Sequence, residues 1–235
     1  MAQRDDPEGD LAAEVLSERV YARLRDGIVS GVYAPGSGLT EREIAARLGV
    51  SRAPIRAAIN RLEFTGFVRL APRRKAIVTD VTRADVEQLY DLRAALEPVA
   101  ARAAAANVAA GADPEPLERA LARAAQAISQ GESAALDHAN ADLHHAITTL
   151  ADHALFERTF APLQDRSDRL SAMTIAAEPA LRHAEHQALV GAIVAGQPRL
   201  AEACAFTHVE QGRLRTLDLL VDQRAGARMP RASST

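Results

Sequence analysis

The sequence predicts a mainly α-helical protein of two domains, with one short β hairpin in its first third. A chain of 235 residues that is 48% hydrophobic is long enough to form two compact cores. Apolar residues recur at helical spacing along most of the chain, and strand-like segments occur only between residues 66 and 80. The charge is unevenly divided, because nine basic and only two acidic residues lie at positions 42–75 of a chain whose net charge is −3. A compact basic segment on an acidic body is typical of a module that binds phosphates.

The first domain begins with a predicted helix that starts at Ser17, a favourable N-cap, and ends near residue 30. We expect residues 1–14 to be a disordered tail and assign residues 15–81 to this domain. A second, short helix should follow Thr40, because a glutamate three residues later gives the spacing of a capping box.

The next segment predicts a helix-turn-helix motif. Gly49 can turn the backbone with a positive φ, and Ser51 is a favourable N-cap for a helix that ends near Thr65. Arg52 and Arg56 are four residues apart, so they lie side by side near the start of that helix. In such motifs this end enters the major groove, where arginine can bind O6 and N7 of guanine.

A basic hairpin is predicted after the motif, from strands at residues 67–70 and 76–79. Arg74 and Lys75 lie in its turn, where they can reach backbone phosphate or the minor groove. Residues 15–81 are therefore predicted to form a winged helix-turn-helix that binds double-stranded DNA. Aromatic residues make up only 3% of the chain, which disfavours stacking on single strands. From charge alone, an arginine-rich solvated surface is an equal alternative.

The segment TEREIAARLGVSRAPIRAAINRLEFTGFVRL resembles the DNA-binding region of the GntR family of bacterial transcription regulators. The similarity is contiguous and includes the family's LGVSR and PIR patterns around the turn. It implies that Arg42, Arg52 and Arg56 contact bases and phosphates, and that Ser51 binds a backbone phosphate. The family usually has glycine at the wing-tip position that Lys75 occupies here.

Residues 82–225 are predicted to form an all-helical antiparallel bundle of about six to seven helices. Proline and glycine stops separate the helical segments along the sequence. The predicted helices cover residues 83–107, 114–131, 133–150, 153–176, 179–195 and 198–221. We expect residues 226–235 to be a disordered tail.

Four polar residues are predicted to face the core of this bundle. Asn140 and His144 share the inner face of one helix. His186 and His208 lie at equal distances on either side of the turn between the last two helices, so the two are expected at the same level. Three imidazoles and an amide oxygen can bind one metal ion. Taken singly, a histidine in a core is more often a hydrogen-bonded structural residue.

The second domain resembles the FCD ligand-binding domain of FadR-type GntR regulators, through NADLH, EHQALVGAI, THVE and the opening segment LYDLRAALEPVAARAA. The resemblance implies that four residues bind a divalent metal, zinc or nickel, opposite a carboxylate effector: Asn140, His144, His186 and His208. Asn140 stands where aspartate is common and supplies no charge, so weaker metal binding or a metal-free site is expected. Arg93 is the candidate partner of the effector carboxylate, with a salt bridge to Glu97 as the alternative.

The sequence favours a homodimer that binds a pseudo-palindromic operator and responds to a small organic acid. One alternative is a constitutive DNA-binding protein whose helical domain only dimerises. The other is a metal-dependent enzyme, disfavoured because Asp142 and Glu185 are expected to point away from the histidines. The single Cys204, the acidic N-terminus and the lack of a long apolar segment predict a cytoplasmic protein with no membrane role.

Overall fold

The computed structural model describes residues 7–71, 75–174 and 178–228. These residues form nine helices and three short strands, so the mainly α-helical fold class is confirmed. The chain divides into two compact units, Met1–Asp80 and Val81–Thr235. This division lies within one residue of the boundary expected from the sequence.

The N-terminal unit is a winged helix-turn-helix, as predicted. Its elements are α1 (Pro7–Val29), β1 (Gly38–Leu39), α2 (Glu41–Leu48), α3 (Arg52–Phe64), β2 (Val68–Ala71) and β3 (Lys75–Val78). β3 lies between β1 and β2 in an antiparallel sheet, with Leu39 paired to Ala76. The core is formed by apolar side chains of the helices and the sheet, among them Leu24, Ile55 and Leu62.

The turn between α2 and α3 has the predicted backbone. The N–H of Glu43 donates to the Thr40 hydroxyl, which caps α2 and itself donates to the Glu43 carboxylate at 2.7 Å. Gly49 has a φ of 67°, the left-handed conformation that favours glycine. Ser51 occupies the N-cap position of α3, but its side chain makes no capping hydrogen bond, so that part of the prediction is wrong.

Both ends of the chain differ from the expected tails. α1 begins at Pro7, not at Ser17, so the expected tail is wrong for residues 7–14. Proline is favoured in the first turn of a helix, where its missing N–H needs no partner. The last helix continues to Arg228, past its predicted end. Residues 1–6 and 229–235 lie outside the described residues.

The described residues of the C-terminal unit form six helices, which agrees with the expected six to seven. They are α4 (Arg83–Ala109), α5 (Glu115–Gln130), α6 (Ser133–Leu150), α7 (Ala154–Thr174), α8 (Pro179–Val194) and α9 (Pro198–Arg228). The most extensive helix contact is between α4 and α9, where small buried residues such as Ala101, Ala105 and Ala205 allow a close approach. Across the described residues, no helix combines the length and the apolar character needed to span a membrane.

Candidate functional sites

Two predicted DNA contacts, Arg42 on α2 and Arg52 at the first position of α3, are exposed. Within the described residues, neither arginine forms an ion pair. Their guanidinium groups are therefore available for phosphate oxygens or base edges. The exposed hydroxyl of Ser51 lies at the same end of α3, where helix N–H groups favour an anion.

Arg56, the third predicted contact, has an internal partner that the sequence did not reveal. Its Nε and Nη2 donate to the two carboxylate oxygens of Glu41 at 2.9 and 3.0 Å, which joins α3 to the first residue of α2. Hydrogen bonds to Glu41 raise the pKa of this guanidinium above its usual value. Arg56 must loosen this pair, or use its remaining N–H groups, to contact DNA.

The wing differs from the prediction at Lys75. This residue is not at the tip but is the first residue of β3, paired with Ala71 of β2. Its aliphatic stem covers Gly38 of β1, where an added Cβ would collide with Lys75 Cε. Glycine at that position therefore makes room for the lysine side chain. Arg74, the other predicted wing contact, lies outside the described residues.

Two other arginines of the basic segment bind to the body of the unit instead. Arg61 forms an ion pair with Glu18 and lies over the ring of Tyr21, 4.0 Å from its centroid. Arg47 lies over the ring of Tyr33 at 5.1 Å. These contacts hold α1 and the following loop, and the sequence analysis did not anticipate them.

In the C-terminal unit, the predicted histidines come together from three helices. His144 of α6, His186 of α8 and His208 of α9 each offer a ring nitrogen, and these nitrogens all lie within 4.8 Å of one another. His186 and His208 are 1% and 6% exposed. Both ring nitrogens of His186 are buried, and neither has a hydrogen-bond partner in the described part of the chain.

His144 and His186 are held in their neutral form by burial. Burial is the main cause that lowers the pKa of His144 to about 3 and the pKa of His186 well below its ordinary value. Neutral imidazole has a free lone pair, which is the form that binds a metal. Asn140, one turn before His144, is also buried, and its Nδ2 lacks a partner among the described residues.

Glu185 lies beside this cluster, contrary to the expectation that it points away. Nδ1 of His208 donates to Glu185 Oε2 at 3.0 Å, which leaves Nε2 as the free ring nitrogen. Arg215 holds the same carboxylate with two hydrogen bonds of 2.6 and 2.7 Å. Burial alone would raise the pKa of Glu185, but the hydrogen bonds from His208 and Arg215 lower it to about 2.

Arg93 is buried and forms the alternative salt bridge, with Nε 2.5 Å from Glu97 Oε1. Its guanidinium also lies 4.8 Å from the ring centroid of Tyr90. Burial works against the charge of Glu97, yet attraction to Arg93 lowers the pKa of that carboxyl. The other oxygen of Glu97 lies 3.8 Å from Nδ1 of His144. The ion pair therefore touches the histidine cluster.

Arg93 and all four predicted metal residues border one cavity, with about 510 Å³ of empty space that is partly open to solvent. Its wall also includes residues that the sequence analysis missed: Gln164, Ser167, Asp168, Ser171, Thr174, Arg182 and Arg215. Most of these lie on α7, for which no facing residues were predicted. Arg182 could have been found, because it lies four residues before His186 on one helix face.

A helix-turn-helix with exposed arginines on its second helix, in one chain with a cavity lined by histidines and arginines, defines a winged-helix transcription regulator. The chain belongs to the GntR family. The family model for bacterial regulatory proteins of the gntR family matches residues 16–78, and the FCD domain model matches residues 88–211. These are families of transcription regulators, which argues against the enzyme alternative even though Glu185 lies beside a histidine.

Known relatives agree with this assignment. The HTH-type transcriptional repressor RspR of Escherichia coli is 30% identical over 159 residues, which cover 68% of this chain and 69% of that protein. An uncharacterized HTH-type regulator of Agrobacterium vitis is 36% identical over 101 residues, 41% of this chain and 59% of its own length. The solved structure of E. coli McbR/YncC is similar in fold, with a TM-score of 0.74 at 22% identity over 89% of this chain and 98% of that one.

Proposed function

We propose that this regulator is a homodimeric repressor that acts in the cytoplasm and senses a small carboxylate beside a divalent metal. The observation that carries the proposal is that three histidines line one cavity with ring nitrogens within 4.8 Å of one another. RspR, a relative, is named a repressor, which supports the direction of regulation. The DNA contacts in this proposal are Arg42, Arg52, Arg56 and the wing residue Lys75, with Arg74 and Ser51 assisting at phosphates.

The cluster suits a zinc or nickel ion. Each histidine can supply one nitrogen, and a metal would engage a lone pair of His186 that has no partner in the described part of the chain. Asn140 can add a neutral carbonyl oxygen. Because none of these four donors is charged, the ion would keep its full positive charge toward the cavity. When bound, it would act as a Lewis acid that attracts a carboxylate.

Binding of the acid would change DNA affinity because effector binding and operator binding are thermodynamically coupled. An effector changes operator binding only if it binds one arrangement of the two heads better than the other. Two heads on half-sites one helical turn apart give more specificity than a single head with few base contacts. For this reason we propose a dimer on a pseudo-palindromic operator.

A constitutive DNA-binding protein with a purely dimerising bundle is less consistent with the cavity. Buried polar groups are costly unless they are paired, and a bundle with no ligand would be more stable with apolar residues at these positions. His186 and Asn140 both bury polar atoms that lack partners in the described residues.

The metal site is tested on the full-length protein after removal of metal with a chelator and reloading with zinc chloride. Mass spectrometry should find about one zinc per chain in the wild type, as expected for a single site. His186→Ala should lose it, whereas His138→Ala should retain it, because His138 is an exposed histidine of α6. Circular dichroism checks that both variants are folded. Equal zinc content in the two variants would contradict the proposal.

A further inference from the structure

α8 brings a second functional group into the cavity wall, one turn from the histidine cluster. Arg182 precedes His186 by four residues, so the two lie roughly 6 Å apart along the helix axis. Both residues line the cavity, and Arg182 is only 7% exposed. A guanidinium in this position faces the same space that an effector would occupy.

Within the described part of the chain, the hydrogen bonds of Arg182 go to neutral oxygens of α7. Its Nη1 donates to Ser171 Oγ at 3.1 Å, and its Nη2 donates to Thr174 Oγ1 at 2.7 Å and to the Thr174 carbonyl at 3.4 Å. Among the residues that the structure describes, no carboxylate lies within ion-pair distance of Arg182. These neutral contacts orient the guanidinium but do not balance its charge.

The other two arginines of the cavity are compensated. Arg93 pairs with Glu97, and Arg215 pairs with both oxygens of Glu185. Desolvation lowers the pKa of Arg182, and repulsion from Arg215 adds to that effect. Arginine nevertheless stays protonated, so the cavity holds a buried cation without a counter-ion from the described residues.

We propose that Arg182 binds a second anionic group of the effector, which makes the effector a short-chain dicarboxylate. This inference rests on the proposed function, in which the first carboxylate faces the histidine cluster. The second carboxylate, roughly one helical turn away, accepts hydrogen bonds from the planar guanidinium and neutralises it. Asp168 of α7 also lines the cavity, but its carboxylate accepts a hydrogen bond from Gln164 of the same helix.

The test is isothermal titration calorimetry of the zinc-loaded, full-length protein with matched acids: butyrate against succinate, and lactate against malate. The wild type should bind each dicarboxylate roughly 10- to 100-fold more tightly than its monocarboxylate, as expected for one charge-assisted, desolvated contact. Arg182→Gln keeps hydrogen-bonding capacity without the charge. It should lose the preference, so that the dicarboxylate and the monocarboxylate bind with about equal affinity. Arg182→Lys should give an intermediate preference.

A second measurement separates ligand binding from a structural role of Arg182. If the Arg182 side chain only ties α7 to α8, Arg182→Gln should lower the thermal midpoint of the ligand-free protein and weaken the binding of both acids equally. That result would overturn the inference. Our proposal predicts an unchanged or higher midpoint, because the variant removes an uncompensated charge.

Two outcomes with the wild type separate this inference from the proposed function. If each dicarboxylate binds no more tightly than its monocarboxylate, only the proposed role of Arg182 is overturned. Failure of all four acids to bind overturns both this inference and the proposed carboxylate effector.

Discussion

Because Arg56 is paired with Glu41, we expect DNA affinity to depend on this acidic residue at the start of α2. Both carboxylate oxygens of Glu41 accept hydrogen bonds from Arg56, at 2.9 and 3.0 Å. Glu41→Gln removes a negative charge beside the recognition helix and releases the guanidinium. We therefore expect this variant to bind operator DNA more tightly than the wild type.

The size of the effect follows from the exposure of the pair. Exposed ion pairs are weak, so releasing Arg56 should raise DNA affinity by up to about fivefold. One additional phosphate contact should also steepen the dependence of log K on log salt by about one unit. Arg52 has no ion-pair partner among the described residues, so Arg52→Ala should weaken binding roughly five- to hundredfold. Arg56→Ala should lose less DNA affinity than Arg52→Ala does, because Arg56 of the wild type must first loosen its pair with Glu41 before it contacts DNA.

Fluorescence anisotropy on a DNA fragment from upstream of the protein's own gene, at several salt concentrations, measures all of these values. Asp26→Asn on α1 is the control, because it makes the same change in net charge at a carboxylate that pairs with Arg25 of its own helix. If Glu41→Gln binds no better than Asp26→Asn, the pair does not restrain Arg56. If Arg52→Ala binds as tightly as the wild type, the assignment of the recognition helix is wrong.

Three further predictions concern packing and charge. Gly38→Ala should displace the Lys75 side chain and weaken DNA binding, measured by fluorescence anisotropy. In a protein that already carries Lys75→Ala, adding Gly38→Ala should change the DNA affinity little further. Glu97→Ala should lower the free energy of unfolding by about 3–5 kcal/mol in urea titrations, since it leaves Arg93 buried without its counter-ion. Glu87→Ala, which breaks the solvent-accessible pair with Arg83 on the same helix, is the control. Metal-free protein should lose stability as the pH falls from 6.5 toward 3, because unfolded chains protonate His144, whose folded pKa is about 3, before the native state does. A flat urea midpoint across that window would contradict the burial of neutral histidine.

Local signals explain which parts of the fold were predictable. The capping pattern at Thr40 and the turn at Gly49 depend on neighbouring residues, and both occur in the structure as expected. The start of α1 at Pro7 was missed, although proline in a first helical turn is itself a local signal. The predicted cap at Ser51 failed in a different way, because a favourable residue type does not guarantee the hydrogen bond.

Site contacts within one helical hairpin were predictable from residue spacing, whereas contacts that depend on how separate helices pack were not. Counting residues from the α8–α9 turn places His186 and His208 at the same level along the two helices. This count was enough to predict that the two histidines are neighbours. Contacts such as Arg56 with Glu41 depend on how two helices pack, which spacing within one helix does not specify. The role of Glu185 was missed for that reason, since it reaches His208 across a helix boundary.

In the proposed regulation, metal and acid in the helical unit control DNA binding by the winged helix. The most direct test of this regulation is the operator Kd of the full-length wild type, on the fragment upstream of its own gene, with and without zinc and with and without succinate or malate. The acid should change this Kd at least about fivefold in zinc-loaded protein and much less in metal-free protein. The same Kd in all conditions, with the acid shown to be bound, would contradict it.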